Sequence, residues 1–252
     1  MLLSQHADNQ VTIAAAGAIP RLVQLLGAGS PPDVRQVAAF ALGNLSQNAD
    51  NQVTIAAAGA VPPLVQLLGR GSADMQECAS QALMLLAQQA DNQVTIAAAG
   101  AIPRLVKLLG FGATALMQEN AAGALARLAC NPDNMVTMAS AGAIPPLVQL
   151  LGAGSSADVQ ECAAEALMIL AQHADNRVTI AAAGAIPPLV QLLRAGSVDL
   201  PKVAAAHALK QLGVGNAKNR DAIAAAAASA SVDVFGEVER LVGYKDGDDD
   251  RE

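Results

Sequence analysis

No tryptophan occurs in the 252 residues, and there are only one tyrosine and three phenylalanines. A core built on large rings is therefore excluded, although hydrophobic residues make up 53% of the chain. Much of that fraction is alanine, and small side chains favour closely packed helices. Charged residues are scarce at 15%, and the formal net charge is −7. An acidic balance argues against nucleic acid as a partner, because phosphate contacts need clustered Lys and Arg. Three cysteines, Cys78, Cys130 and Cys162, cannot make a disulfide framework and contain no CxxC pair for a metal. No run of apolar residues is long enough to span a bilayer; AIAAAAASASV at 222–232 is the most continuous. MLLSQHADNQ turns polar after three residues and does not read as a signal peptide. These features point to an intracellular protein, cytoplasmic or nuclear.

What the sequence does contain is repetition. NQVTIAAAGA stands at residues 9–18, 51–60 and 92–101, with looser copies from Asn134, Asn176 and Asn219. The spacings are 42, 41, 42, 42 and 43 residues. A fixed period near 42 signals a solenoid, whose units bury their apolar faces only against neighbours. One unit reads through its punctuation. Asp8 or Asn9 is the expected N-cap of a short first helix, Val11 to Ala16, closed by Gly17. Pro20 fits the first turn of a second helix with Leu22, Val23, Leu25 and Leu26 on its buried face. Gly27 and Gly29 stop it. Ser30 or Asp33 is the expected cap of a third helix, Asp33 to Ser46, whose apolar residues are Val34, Val37, Ala38, Ala41, Leu42 and Leu45.

A longer period is also present. ADMQECASQALMLLAQQAD (73–91) and ADVQECAAEALMILAQHAD (157–175) match at 14 of 19 positions, as duplication of a two-repeat unit would leave them. The spacing divides the chain into a remnant at 1–8, then repeats 9–50, 51–91, 92–133, 134–175 and 176–218. A partial repeat and an amphipathic capping helix follow at 219–245, with Phe235, Val238, Leu241 and Val242 expected inward. The acidic tail is 246–252. MLLSQHAD aligns with Met84–Asp91, so the first third helix is cut, and its uncapped flank is an expected site of self-association.

Three helices per unit, with the Gly-Ala-Ile/Val-Pro break at 17–20, 59–62, 100–103, 142–145 and 184–187, resemble the armadillo repeat. The two-helix HEAT repeat is the alternative at this length. The resemblance covers about residues 1–220. It implies an all-α, right-handed superhelical armadillo-repeat solenoid of about five full three-helix repeats with partial end repeats. It also implies a concave groove, lined by third helices, that binds an extended segment of another protein.

In importin-like members each third helix carries a Trp and, four residues on, an Asn that holds the peptide backbone. The matching positions here are Phe40 and Asn44, Gln81 and Leu85, Gly123 and Arg127, Glu165 and Ile169, and His207 and Gln211. No Trp is among them and the Asn survives only at Asn44, which argues against an import adaptor. One turn earlier stand Gln36, Glu77, Glu119, Glu161 and Val203. The three Glu form an expected acidic ladder that attracts Lys and Arg, or a solvated helix start that suits the macrodipole. Met84 and Met168 read as soft contacts or as packing between third helices. Phe111, in the turn Gly110-Phe111-Gly112, reads as an exposed contact or as a plug for its own loop.

The expected binding residues are thus Phe40, Asn44, Glu77, Gln81, Leu85, Glu119, Arg127, Glu161, Glu165, Ile169, His207 and Gln211. The expected partner is a protein segment, basic or mixed basic and apolar. No cofactor or metal is expected: His6, His173 and His207 lack ligand spacing, and GAGS and GRGS are not followed by a phosphate-loop Lys. No nucleophile–base pair is recognisable, so the chain reads as a non-enzymatic scaffold. The alternatives are a self-associating building block and the recognition region of a larger protein, such as a ubiquitin ligase or a cytoskeletal adaptor.

Overall fold

The computed structural model describes residues 6–110, 112–194 and 200–242. Phe111, the first five residues and the acidic tail lie outside the described residues. The described residues are helical, without strands. They divide into two compact units, Met1–Asn134 and Met135–Glu252.

In the first unit the helices are α1 (Ala7–Ala15), α2 (Ala18–Leu25), α3 (Pro32–Leu45), α4 (Ala49–Ala57), α5 (Val61–Arg70), α6 (Ala73–Leu86), α7 (Ala90–Ala98), α8 (Ala101–Leu108) and α9 (Ala115–Ala129). α10 (Pro132–Ser140) begins there. The second unit continues with α11 (Ile144–Leu150), α12 (Ala157–Leu170), α13 (Ala174–Ala182), α14 (Ile186–Leu193), α15 (Leu200–Gly213), α16 (Ala217–Ala230) and α17 (Val234–Val242).

The order short, short, long follows from the local chemistry. Gly59 sits at φ 82° after α4, a left-handed conformation that glycine adopts without a Cβ clash. The chain turns by 85° into α5 there, and Pro62 and Pro63 fit the α5 first turn. Gly17, Gly100, Gly142 and Gly184 repeat this conformation. Third helices start on hydroxyl caps: Ser72 accepts from the Met75 N–H, Thr114 from the Met117 N–H and Ser156 from the Val159 N–H. Gln76 Nε2 then donates to Leu68 O and Gln118 Nε2 to Leu109 O, satisfying carbonyls at the end of the preceding second helix. Leu64, Leu83, Leu86, Leu105, Leu125 and Leu128 fill the core of the first unit. Among the described residues no single helix is long and apolar enough to cross a membrane.

The repeated Asn is not an N-cap, contrary to the sequence expectation. First helices begin earlier, and Asn48 caps α4 by accepting from the N–H groups of Asp50 and Asn51. Asn51 is thereby left buried inside the helix. Its Nδ2 donates to Leu45 O (3.1 Å) and to Gln10 O (3.2 Å). Asn92 does the same to Leu86 O and Gln52 O, and Asn219 to Leu212 O and Arg177 O. These Asn side chains thus close the end of the preceding third helix. The next residue helps: Gln52 Nε2 donates to Ser46 O and Gln93 Nε2 to Ala87 O.

Other expectations fail in detail. α3 starts on Pro31 with neither Ser30 nor Asp33 capping it, because the two prolines preset an extended residue followed by a helical one. Val37 and Leu25 are exposed rather than core, since they lie on the outermost face of the first unit. The sixth copy has no Gly-Ala-Ile-Pro break and runs on as the 14-residue α16. On α17 it is Val234 and Val238 that are buried. Phe235 is exposed, and Leu241 and Val242 are half-buried. The inward face is turned by one residue, and Lys202 on α15 anchors the helix by pairing with Glu237 at 3.4 Å.

Candidate functional site

Within the first unit the long helices α3, α6 and α9 pack side by side. Small residues permit the approach. A Cβ on Gly43 would lie 3.6 Å from Gln81 Oε1 and 3.8 Å from the Ala82 methyl. At the next interface Gly123 faces Met84, whose sulfur would be 2.9 Å from an added Cβ. Met84 therefore packs between third helices, which is the second of the two roles its sequence position allows.

The side chains on these helices differ from repeat to repeat. Phe40 on α3 is half-buried, whereas Asn44 is only 3% exposed. On α6, Glu77, Gln81 and Leu85 are all half-buried. On α9, Glu119 and Arg127 are half-buried, with Gly123 between them. Glu77 is not simply solvated. Its Oε2 accepts from Thr114 Oγ1 at 3.0 Å, so it reaches the start of α9, where the helix dipole favours a carboxylate. Gln36 Nε2 similarly donates to Asp74 Oδ2 at 3.4 Å, at the start of α6. Thr114 and Asp74 are thus parts of this face that periodicity in the sequence did not single out. Burial pushes the Cys78 thiol up, helped by the adjacent Glu77 and Asp74 carboxylates.

α6 carries no basic residue, and α9 carries one, Arg127. Its Nη1 donates to Gly123 O at 3.1 Å, one turn back on its own helix. Among the described residues Arg127 is in no salt bridge.

In the second unit, α12 holds Glu161 and Glu165 half-buried, and Ile169 is 8% exposed. α15 packs on α12 and holds His207 and Gln211 half-buried. Burial and the nearby Lys210 hold the His207 imidazole below its ordinary range.

The Armadillo/beta-catenin-like repeat family matches at residues 6–47, 89–130 and 131–167. The chain is an armadillo-repeat protein. It is similar to solved structures of designed proteins. An engineered protein shares 30% identity, with 90% of this chain and 95% of that one covered and a TM-score of 0.78. A designed armadillo repeat protein shares 27% identity over 89% of this chain and 98% of that one, at a TM-score of 0.78. A third, a designed armadillo repeat protein in complex with the peptide (KR)4, shares 26% identity over 89% and 98%, at a TM-score of 0.76. No curated protein matches the sequence. In this armadillo-repeat protein the two helices flanking each Gly-Ala-Ile/Val-Pro break are the first and second of a repeat, and the long third helix packs on its neighbours and carries the variable side chains.

Proposed function

We propose that this protein is a non-enzymatic, intracellular scaffold that holds an extended segment of another protein against the α3–α6–α9 face of its first unit. The observation that carries the reading is the contrast along that face. Ala79, Leu83, Leu86, Leu125 and Leu128 build the stack and are buried, while the recurring Glu77 and Glu119, and Gln81, Leu85 and Arg127, which differ between repeats, reach the surface. Glu77 and Glu119 favour a Lys- or Arg-bearing segment, because like charges on adjacent rungs add their fields. The Gln81 amide can both donate to and accept from a peptide main chain, and Leu85 offers an apolar contact. Several weak rungs acting on one chain supply the affinity. The similar designed protein bound to (KR)4 supports a peptide ligand of this kind.

The test is fluorescence anisotropy with labelled (Lys-Arg)4. The native chain is expected to bind in a salt-sensitive way, and the double variant Glu77→Lys, Glu119→Lys to bind about tenfold or more weakly. Both proteins must first melt alike. Equal binding by the two would remove the acidic rungs from the account, and no binding by the native chain would remove the function.

A second reading rests on a different surface. Leu22, Leu25, Val34, Val37 and Ala38 line a cleft of about 240 Å³ between α2 and α3, with Asp33 at its rim. Leu25 is 41% exposed, whereas its equivalents Leu67 and Leu108 are 3% and 7% exposed, and α5 and α8 pack against each other. A surface that a neighbouring repeat covers elsewhere suits a second copy of this chain. Sedimentation of the native chain and of Val37→Asp over a hundredfold concentration range tests this (about two decades brackets a weak dimer). A dimer lost in the variant supports it; a native monomer throughout removes it.

A further inference from the structure

We infer that Arg127 selects an acidic residue in the bound segment, so that the ligand is a mixed-charge chain rather than a uniformly basic one. This rests on the binding role proposed above for the α3–α6–α9 face. Charge is unevenly distributed on this face. The starts of α6 and α9 carry Asp74, Glu77 and Glu119, while the C-terminal part of α9 carries Arg127. Eight residues separate Glu119 from Arg127, which is about 12 Å along a helix axis. Across α6 and α9 the face is therefore negative on one side and positive on the other.

Between the two charges lies Gly123. With no side chain of its own, it leaves a notch that Met84 and Arg127 fill from either side: an added Cβ would be 2.9 Å from the Met84 sulfur and 3.2 Å from Arg127 Nη1. The guanidinium lies folded back into this notch, with Nη1 donating to Gly123 O. That carbonyl belongs to the helix and already serves the helical ladder, so the contact is a weak anchor. A guanidinium has five N–H donors in a planar fork suited to two carboxylate oxygens. A bidentate, charge-assisted pair is stronger than a single bond to a carbonyl. Arg127 is half-buried and in no salt bridge among the described residues. It can therefore exchange its present contact for a ligand carboxylate without breaking an ion pair.

The spacing sets the ligand's pattern. An extended strand directs alternate side chains to opposite sides. A strand crossing the third helices over Gln81 and Gly123 lies about 6 Å from either charge, within reach of Lys on one side and of Asp or Glu on the other. Basic and acidic residues are thus expected next to each other in the bound segment at this rung. Leaving the notch also lets Arg127 uncover Gly123, where a ligand backbone can approach closely.

The test uses the full chain and nine synthetic peptides: Lys-Ala-Lys-Ala-Lys-Ala-Lys-Ala, its four variants with one Ala replaced by Glu, and the same four with Lys in place of that Glu. One of the four Glu peptides is expected to bind about threefold to tenfold more tightly than the parent. That gain should vanish in Arg127→Gln and become a penalty in Arg127→Glu, with Lys in place of the Glu restoring binding to the latter. Arg127→Gln keeps an uncharged, helix-compatible side chain and carries the reading if Arg127→Glu folds poorly. If the parent binds and none of the four binds better, or if the gain persists in Arg127→Gln, the inference is overturned while the binding role stands. If no peptide binds, both fall.

Discussion

Asn51 Nδ2 donates to the carbonyl oxygen of Gln10 at 3.2 Å, joining two first helices 41 residues apart. The same amide donates to Leu45 O at 3.1 Å. One side chain thus ties a repeat to the first and the third helix of the repeat before it. The structure answers why the ten-letter segment recurs: its Asn and Gln serve the junction, its Ile fills the core, and its Gly turns the chain.

The equivalent Asn92 should therefore matter more than its neighbours in the same segment. Asn92→Ala removes two buried hydrogen bonds at the junction, one to Leu86 O, which keeps the Gln89 N–H, and one to Gln52 O. We expect a loss of about 1–3 kcal/mol, which in a chain of this size is a melting shift of several degrees, about 2–4 °C per kcal/mol. Val94, two residues on, is 55% exposed, and Val94→Ala should stay within about 0.5 kcal/mol. Thermal denaturation of the two variants checks the contrast, and equal losses would contradict the bracket's role.

His207 makes the second unit sensitive to mild acid. Burial, then Lys210, lowers its pKa from the ordinary 6.5 in the folded state. As pH falls through that value the unfolded chain takes up the proton first, so protonation favours unfolding. Stability is complete above the unfolded value and declines as pH falls towards the folded one. His207→Gln should lose less melting temperature than the native chain between pH 7.5 and 5.5 (about one decade of proton concentration on either side of the ordinary value). Parallel curves would show that His207 does not contribute.

Much of the fold was legible because punctuation carried it. The left-handed Gly59, the prolines of α5 and the hydroxyl caps of α6, α9 and α12 are local signals, and each acts within a few residues of itself. The repeated Asn misled because its letter suits a cap equally well. Only contact with the preceding repeat shows that Asn48 caps α4 and Asn51 closes α3. Phe235 misled for a similar reason: the period of α17 was clear, but its rotation is set by packing against α15 and by the Lys202–Glu237 pair. The candidate face was legible as a set of positions. Which side chains reach solvent there was not, since Asn44 and Gln81 occupy similar helices yet only Gln81 is accessible. The repeated Val is exposed in every repeat, at 53–59%, and no packing explains its constancy.

The most direct measurement is site-specific photo-crosslinking. A photoreactive residue replaces Gln81 on α6 in one protein, or Gln66 on the exposed side of α5 in another, and each is irradiated with labelled (Lys-Arg)4. Crosslinking at position 81, suppressed by excess unlabelled peptide and near background at position 66, is the expected result. Competed crosslinking at position 66, or equal labelling at both, would contradict a ligand held on the third-helix face.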